Sequence, residues 1–126
     1  MKIVLTGHKG FIGSHYYNFI KNYDEVITYD LADGQDLKDK AVTSSMPDCN
    51  VVVHMAATNG TRLFYEKPTE VSFNNTLPTF NLIERYKNTN TKFVDKFPRC
   101  PNVQNKRFAS FEQPPLSGGC SKLIIF

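Results

Sequence analysis

The chain has few cysteines and no long hydrophobic run. Its three cysteines, Cys49, Cys100 and Cys120, are odd in number and lie far apart. None of them pairs with another at the close spacing of a metal site, so we expect reduced thiols and no bound metal. No apolar stretch is long enough to cross a bilayer or to serve as a signal peptide. These absences predict a cytoplasmic protein without a membrane partner.

A strong charge of one sign is also absent. The net charge is +3, with nine Lys or Arg against ten Asp or Glu in residues 1–91. Residues 92–126 carry six against two and hold four of the seven prolines. We therefore expect one domain over residues 1–95 and an irregular tail over residues 96–126. The basic side chains of the tail are scattered, which argues against nucleic-acid binding: Lys96, Arg99, Lys106, Arg107 and Lys122.

The most informative pattern is a glycine loop between an apolar strand and an amphipathic helix. Ile3-Val4-Leu5 predicts a buried strand, and Thr6-Gly7-His8-Lys9-Gly10-Phe11-Ile12-Gly13 follows it. Gly7 permits a tight turn, Gly10 lets the backbone approach a bound group, and Gly13 lets the helix pack closely. Unpaired N–H groups and the helix dipole then favour a pyrophosphate. The loop predicts dinucleotide binding, with a purely structural glycine turn as the alternative.

Hydrophobic periodicity predicts alternating strands and helices. The predicted strands are Lys2–Thr6, Glu25–Asp30, Val51–Met55 and a fourth from Lys92, and the predicted helices are Gly10–Asn22, Lys38–Ser45 and Pro68–Tyr86. This alternation predicts a Rossmann-like, doubly wound α/β fold. Its parallel sheet, in the order 2-1-3-4, would be incomplete with about four strands. Ligands of such sheets bind at the C-terminal ends of the strands where the order reverses.

The spacing of apolar residues supports two of these helices. On the first helix, Ile12, Tyr16, Phe19 and Ile20 recur on one face, and the spacing of Val71, Phe73, Leu77, Phe80, Leu82 and Ile83 suits the long helix.

A carboxylate ends the second predicted strand. Asp30 stands seventeen residues after Gly13, where it can accept hydrogen bonds from both ribose hydroxyls and would repel a 2′-phosphate. This position favours NAD over NADP. The alternative is a solvated aspartate in a turn.

With these motifs the chain resembles the extended short-chain dehydrogenase/reductase family, in particular its NAD-dependent nucleotide-sugar epimerases and dehydratases. Asp36-Leu37 resembles the pair that receives the adenine, and His54-Met55-Ala56-Ala57 resembles the motif against which the cofactor lies. Pro68, Asn75, Thr79, Asn81, Leu82, Ile83 and Glu84 resemble a helix signature whose Asn braces the active-site region, although Pro78 replaces its usual Gly. The resemblance implies NAD as cofactor and, in the family, a nucleotide-sugar substrate.

The motifs together define the predicted cofactor site. Its residues are Gly7, Gly10, Phe11, Ile12, Gly13, Asp30, Asp36, Leu37, Ala56, Ala57, Asn75 and Lys122.

No catalytic set is intact in this chain. The resemblance implies a Tyr whose pKa is lowered by a Lys four residues later, assisted by a Ser or Thr at the end of the fourth strand. Lys122 matches the Lys, but Gly118 replaces the Tyr, and Asp95-Lys96-Phe97-Pro98 stands where the serine belongs. Glycine has no proton to exchange, so we expect no turnover by this chain alone. Tyr17 and Lys21 share the spacing, but we interpret them as core and surface residues.

Three functions remain open. The first is a truncated epimerase/dehydratase module that retains its NAD site. The second is a non-catalytic module that binds NAD or a partner, including self-association through an edge left bare beyond Val94. The third is an unstable product whose shortened sheet exposes apolar surface. A frameshift or truncation from Asp95 onward would explain the change in composition and the missing serine. The family residues retained at Pro115-Leu116-Ser117 and Ser121-Lys122 favour divergence within the reading frame instead.

Overall fold

Five strands form one sheet in the part of the chain that the structure describes. The structure is a computed structural model, and it describes the backbone of residues 1–98 and 121–125 and the side chains of residues 1–95. The strands are β1 (Lys2–Thr6), β2 (Glu25–Tyr29), β3 (Val51–His54), β4 (Lys92–Pro98) and β5 (Ser121–Ile125). The helices are α1 (Phe11–Ile20), α2 (Lys40–Ser44), α3 (Thr61–Glu66) and α4 (Pro68–Tyr86), with a short 3-10 turn at Leu31–Asp33.

The order of the sheet is β2-β1-β3-β4-β5. β1 pairs in parallel with both β2 and β3, and β3 pairs in parallel with β4. The four-stranded parallel sheet and its order 2-1-3-4 confirm the predicted Rossmann-like fold. The central strands are apolar on both faces because helices cover both faces.

Two hydrophobic clusters lie on the two faces of the sheet. On one face, Val4 and Val52 pack with Leu82 and Tyr86 of α4. On the other, Leu5 packs with Ile20 of α1. Each face of the sheet therefore has its own helical cover, as a doubly wound fold requires.

The two long helices bury only some of the apolar side chains whose spacing predicted them. On α1, Tyr16 and Ile20 pack into the core, whereas Ile12 is 43% and Phe19 is 70% exposed. On α4, Val71 and Leu82 are buried and Leu77 is half-buried, but three of these apolar residues are exposed: Phe73, Phe80 and Ile83. Both helices carry apolar residues around most of their circumference, so periodicity could not select the face that meets the sheet.

The edge of the sheet beyond β4 is not bare. β5 pairs with β4 in antiparallel register, with Val94 opposite Ile125 and Phe97 opposite Lys122. The expectation of an unpaired edge beyond Val94 was therefore wrong, because β5 supplies N–H and C=O partners to the backbone of β4. This strand lies within the segment predicted to be irregular. Among the helices of residues 1–98, none combines the length and hydropathy that a membrane span requires.

Candidate cofactor-binding site

A pocket of about 450 Å³ opens at the C-terminal ends of β1 and β3. Ten of the twelve predicted site residues line it, namely Gly7, Gly10, Phe11, Ile12, Gly13, Asp30, Asp36, Leu37, Ala56 and Ala57. The lining also includes residues that were not among the predicted site residues, namely Leu31, Gln35, Lys38, Met55, Thr58, Asn59, Asn74 and Pro78. All but Asn59 and Pro78 directly adjoin a predicted site residue in the sequence, and that adjacency was the available signal.

Two glycines of the loop are required by the packing of the chain itself. Gly7 has a φ of +74°, and a Cβ atom there would lie 2.5 Å from the backbone nitrogen of Ala56. A Cβ atom on Gly13 would lie 2.0 Å from the carbonyl oxygen of Gly7. Gly7 therefore lets β1 turn beside the end of β3, and Gly13 lets α1 approach the loop rather than the strands of the sheet.

Gly10 differs from the other two. Its φ of −69° is open to any residue. Among the described atoms outside its chain neighbours and the backbone of α1, a Cβ at this position would meet only the carbonyl oxygen of Gly7, at 3.2 Å. The missing side chain instead leaves free space at the wall of the pocket. Gly10 thus forms a cradle that any side chain would partly fill.

The N-terminus of α1 faces this cradle. Its first intrahelical hydrogen bond runs from the N–H of Ser14 to the carbonyl of Gly10, at 2.9 Å. Gly10 provides no side-chain cap, and the first turn of α1 contains no acidic residue. The N–H groups of Phe11 and Ile12 precede the first intrahelical bond, so they are available to an anion. This end of the pocket fits a pyrophosphate.

Asp30 lies on the neighbouring wall with its carboxylate fixed. One oxygen accepts the N–H of Ala32 at 2.9 Å, and the other accepts the N–H of Lys9 at 2.8 Å. The side chain of Gln35 accepts the N–H of Asp30 at 3.1 Å. Each carboxylate oxygen retains a lone pair, because an ionised carboxylate offers about four acceptor sites. The group can therefore accept both hydroxyls of a ribose.

The far wall is held by two amide side chains of α4. Asn81, which is 4% exposed, donates to the carbonyls of Leu37 and Lys38 at 2.9 and 3.1 Å. Asn74 accepts the Nζ of Lys38 at 3.1 Å. Next to them Asp36 accepts the N–H of Lys38 at 2.9 Å. The segment that the resemblance assigns to adenine is thus fixed by the helix that packs under it.

The chain after β3 is held from two directions. Asn75 accepts the N–H of Thr58 at 2.6 Å and donates to its carbonyl at 3.1 Å. Asn75 is not among the residues that line the pocket; it braces a segment that does, as the resemblance implies. On the other side, Thr6 Oγ1 lies 2.6 Å from Nδ1 of His54 and accepts the N–H of Ala56 at 3.4 Å.

His54 is neutral in this arrangement. Its ring is 2% exposed, and desolvation lowers its pKa from 6.5 to about 4. The neutral ring shares one hydrogen bond with the hydroxyl of Thr6 through Nδ1.

Of Gly118 and Lys122, which match the family's catalytic pair, the structure describes only the backbone of Lys122. Lys122 lies on β5, opposite Phe97 on β4. Ser121–Ile125 is a strand within the segment that was expected to be irregular. Gly118 is outside the described residues. Tyr17, on α1, packs against the core, and Nζ of Lys21 lies 5.6 Å from the centre of its ring, which agrees with a structural role for both.

A family model and solved structures match the same part of the chain. The model of the NAD dependent epimerase/dehydratase family matches residues 3–97. A crystal structure of UDP-galactose 4-epimerase is 33% identical, with a TM-score of 0.62, over 72% of this chain and 36% of that one. Comparison with curated protein sequences found no match.

Two further solved structures extend the comparison. The Thermus thermophilus UDP-glucose 4-epimerase in complex with NAD is 29% identical, with a TM-score of 0.57, over 68% of this chain and 33% of that one. The Bifidobacterium longum UDP-glucose 4-epimerase with NAD+ and UDP, at 22% identity and a TM-score of 0.64 over 74% of this chain and 36% of that one, shows the shared fold. The chain spans about a third of the length of these structures. From the extent of the family match, this chain belongs to the NAD dependent epimerase/dehydratase family.

Proposed function

We propose that this chain is an NAD-binding module of the nucleotide-sugar epimerase/dehydratase type. In this proposal the N–H groups at the start of α1 bind the pyrophosphate, and Asp30 accepts the hydroxyls of the adenosine ribose. Asp36 and Leu37 receive the adenine, and Ala56 and Ala57 lie beside the nicotinamide half. The complex of the Thermus thermophilus relative with NAD supports the choice of cofactor.

The cradle at Gly10 is the observation that carries this proposal. The backbone dihedral angles there are open to any residue, and a Cβ would make one tight contact, at 3.2 Å, with the carbonyl oxygen of Gly7. A side chain would instead narrow the space directly in front of the uncapped N-terminus of α1. A site that binds an anion through backbone N–H groups requires such an opening. A turn that served packing alone would not.

We further propose that the module does not turn over a nucleotide-sugar by itself. Bound NAD would supply a hydride acceptor, and the family reaction also needs a base for the substrate hydroxyl. Gly118 stands where the resemblance places that base, and glycine has no ionisable group. In this proposal, the described residues of the pocket bind and orient the cofactor. Without the Tyr and the Ser, no group takes the proton of the substrate hydroxyl. The cytoplasmic location expected from the sequence also remains a proposal, whereas self-association through the edge beyond Val94 is not proposed, because β5 pairs with β4 there.

Calorimetric titration of the full chain with NAD tests cofactor binding. We expect saturable binding with one site per chain in the wild type. Gly10→Val should abolish it while leaving the circular dichroism spectrum native, because the added branched side chain blocks the cradle. A matched control is Ser14→Val, which adds a similar branched group one turn further along α1, outside the residues that line the pocket.

Two outcomes would overturn these proposals. Absence of NAD binding to folded wild-type protein at millimolar NAD would refute the cofactor assignment, as would unchanged affinity in Gly10→Val. Turnover of a UDP- or dTDP-sugar by the purified chain would refute the claim that Gly118 disables catalysis. Such turnover would leave the proposal of NAD binding unaffected.

A further inference from the structure

The carboxylate of Asp30 lies at one end of a chain of polar contacts that leads to Asp33. His8 Nδ1 lies 3.9 Å from one oxygen of Asp30, and His8 Nε2 lies 3.6 Å from Asp33. Lys9 Nζ forms an ion pair with the other oxygen of Asp33. We call these four residues, His8, Lys9, Asp30 and Asp33, the ribose-side cluster.

Within this cluster the ammonium of Lys9 is directed to Asp33 rather than to Asp30. The backbone of Lys9 is fixed beside Asp30, because its N–H donates to that carboxylate at 2.8 Å. Its side chain therefore starts next to the group that would accept the ribose hydroxyls. The pair lies at the surface, with side chains 47% exposed for Lys9 and 36% for Asp33. The ammonium of Lys9 is thus accessible from solvent, and its charge is neutralised by Asp33.

We propose that Asp33 is a specificity-determining residue that maintains selection against 2′-phosphorylated dinucleotides by holding Lys9. This inference rests on the proposed NAD site. Two aspartates and one lysine leave this cluster with one net negative charge, aside from His8. A phosphate monoester carries nearly two negative charges at neutral pH, so it is repelled by Asp30 and has no free cation to bind. Without Asp33, Lys9 becomes available beside the 2′-position.

The test compares the dissociation constants of NAD and NADP by calorimetry. Asp33→Asn keeps the size of the side chain and removes its charge. We expect this variant to bind NADP at least about tenfold more tightly than the wild type, with NAD affinity changed by less than about twofold. The double variant Asp33→Asn/Lys9→Gln should lose this gain in NADP affinity, because the gain depends on the positive charge of Lys9. High salt should reduce the gain in the single variant.

Glu84→Gln is the matched control. Glu84 also forms an exposed surface ion pair, with Lys40 at 3.2 Å, and it does not line the pocket. Its removal should leave both affinities unchanged. The inference would be overturned if the ratio of the NADP and NAD dissociation constants were the same in Asp33→Asn as in the wild type. It would also be overturned if the double variant kept the gain in NADP affinity. If the folded wild type bound neither dinucleotide, the proposed function would fall, and this inference with it.

Discussion

A Cβ atom on Gly13 would lie 2.0 Å from the carbonyl oxygen of Gly7, closer than real contacts allow. At Gly10 the corresponding distance to the same oxygen is 3.2 Å. Gly13→Ala should therefore lower the free energy of unfolding by about 2 kcal/mol or more, and Gly10→Ala by less than about 1 kcal/mol. Urea denaturation of both variants measures the difference. Equal losses of stability would contradict the separate roles assigned to the two glycines.

Replacing Asn75 by Ala should loosen the segment after β3. The substitution removes both hydrogen bonds to Thr58, so we expect a loss of about 1 to 2 kcal/mol in unfolding free energy. NAD affinity should also fall, because Thr58 lines the pocket. Thr76→Ala is the control, since Thr76 is an exposed neighbour on α4 that bonds only within the helix. If Asn75→Ala had the same stability and NAD affinity as Thr76→Ala, Asn75 would not stabilise the segment after β3.

Asn81→Ala should be more costly to folding than a surface change of the same type. Asn81 is buried, and its removal leaves the carbonyls of Leu37 and Lys38 without these donors. We expect the unfolding free energy to fall by about 1 to 3 kcal/mol. Asn88→Ala, at an exposed position just beyond α4, should change it by less than about 0.5 kcal/mol. Thermal unfolding of the two variants side by side gives the comparison.

The stability of the fold should decrease in mild acid because of His54. Its pKa is about 4 in the folded chain and 6.5 when unfolded, so between these values the unfolded state binds more protons. The contribution of His54 is complete above pH 6.5 and is lost as the pH falls towards 4. Lowering the pH from about 7.5 to about 5 should remove about 2 kcal/mol of stability through this one group.

Urea unfolding at several pH values tests this assignment. His54→Gln should show a flatter pH dependence than the wild type, although it is less stable near neutrality because the bond to Thr6 changes. His15→Gln, at an exposed position on α1, should retain the wild-type slope. Identical slopes in wild type and His54→Gln would exclude His54 as the source of the acid sensitivity.

The elements that could be predicted from the sequence are those with a single physical solution. Val51-Val52-Val53 is apolar on both faces and too short for a buried helix, so it forms a central parallel strand. Pro68 at the start of α4 and the polar residues after Tyr86 define the helix ends, and the structure has the predicted bounds. Strand order followed from the alternation of elements. These features depend on neighbours close in sequence.

Other features depend on contacts between distant residues. α1 and α4 carry more apolar side chains than their buried faces accommodate, so the exposure of Phe19 and Phe73 was decided by which face met the sheet. α3 is a single short helix with no buried residue, and it has no periodic signal. β5 exists as a strand because β4 offers it an edge.

For the site, the motif residues were determined by the sequence alone. A strand, three glycines and a later Asp30 predict a phosphate loop and a ribose acceptor, because backbone freedom and charge are properties of the residues themselves. Only the tertiary structure decided how the glycines differ, with Gly7 and Gly13 required by backbone contacts and Gly10 at the wall of the pocket without such a requirement. It also decided that Asp33 holds Lys9, since the loop after β1 and the turn after β2 meet only in the folded sheet.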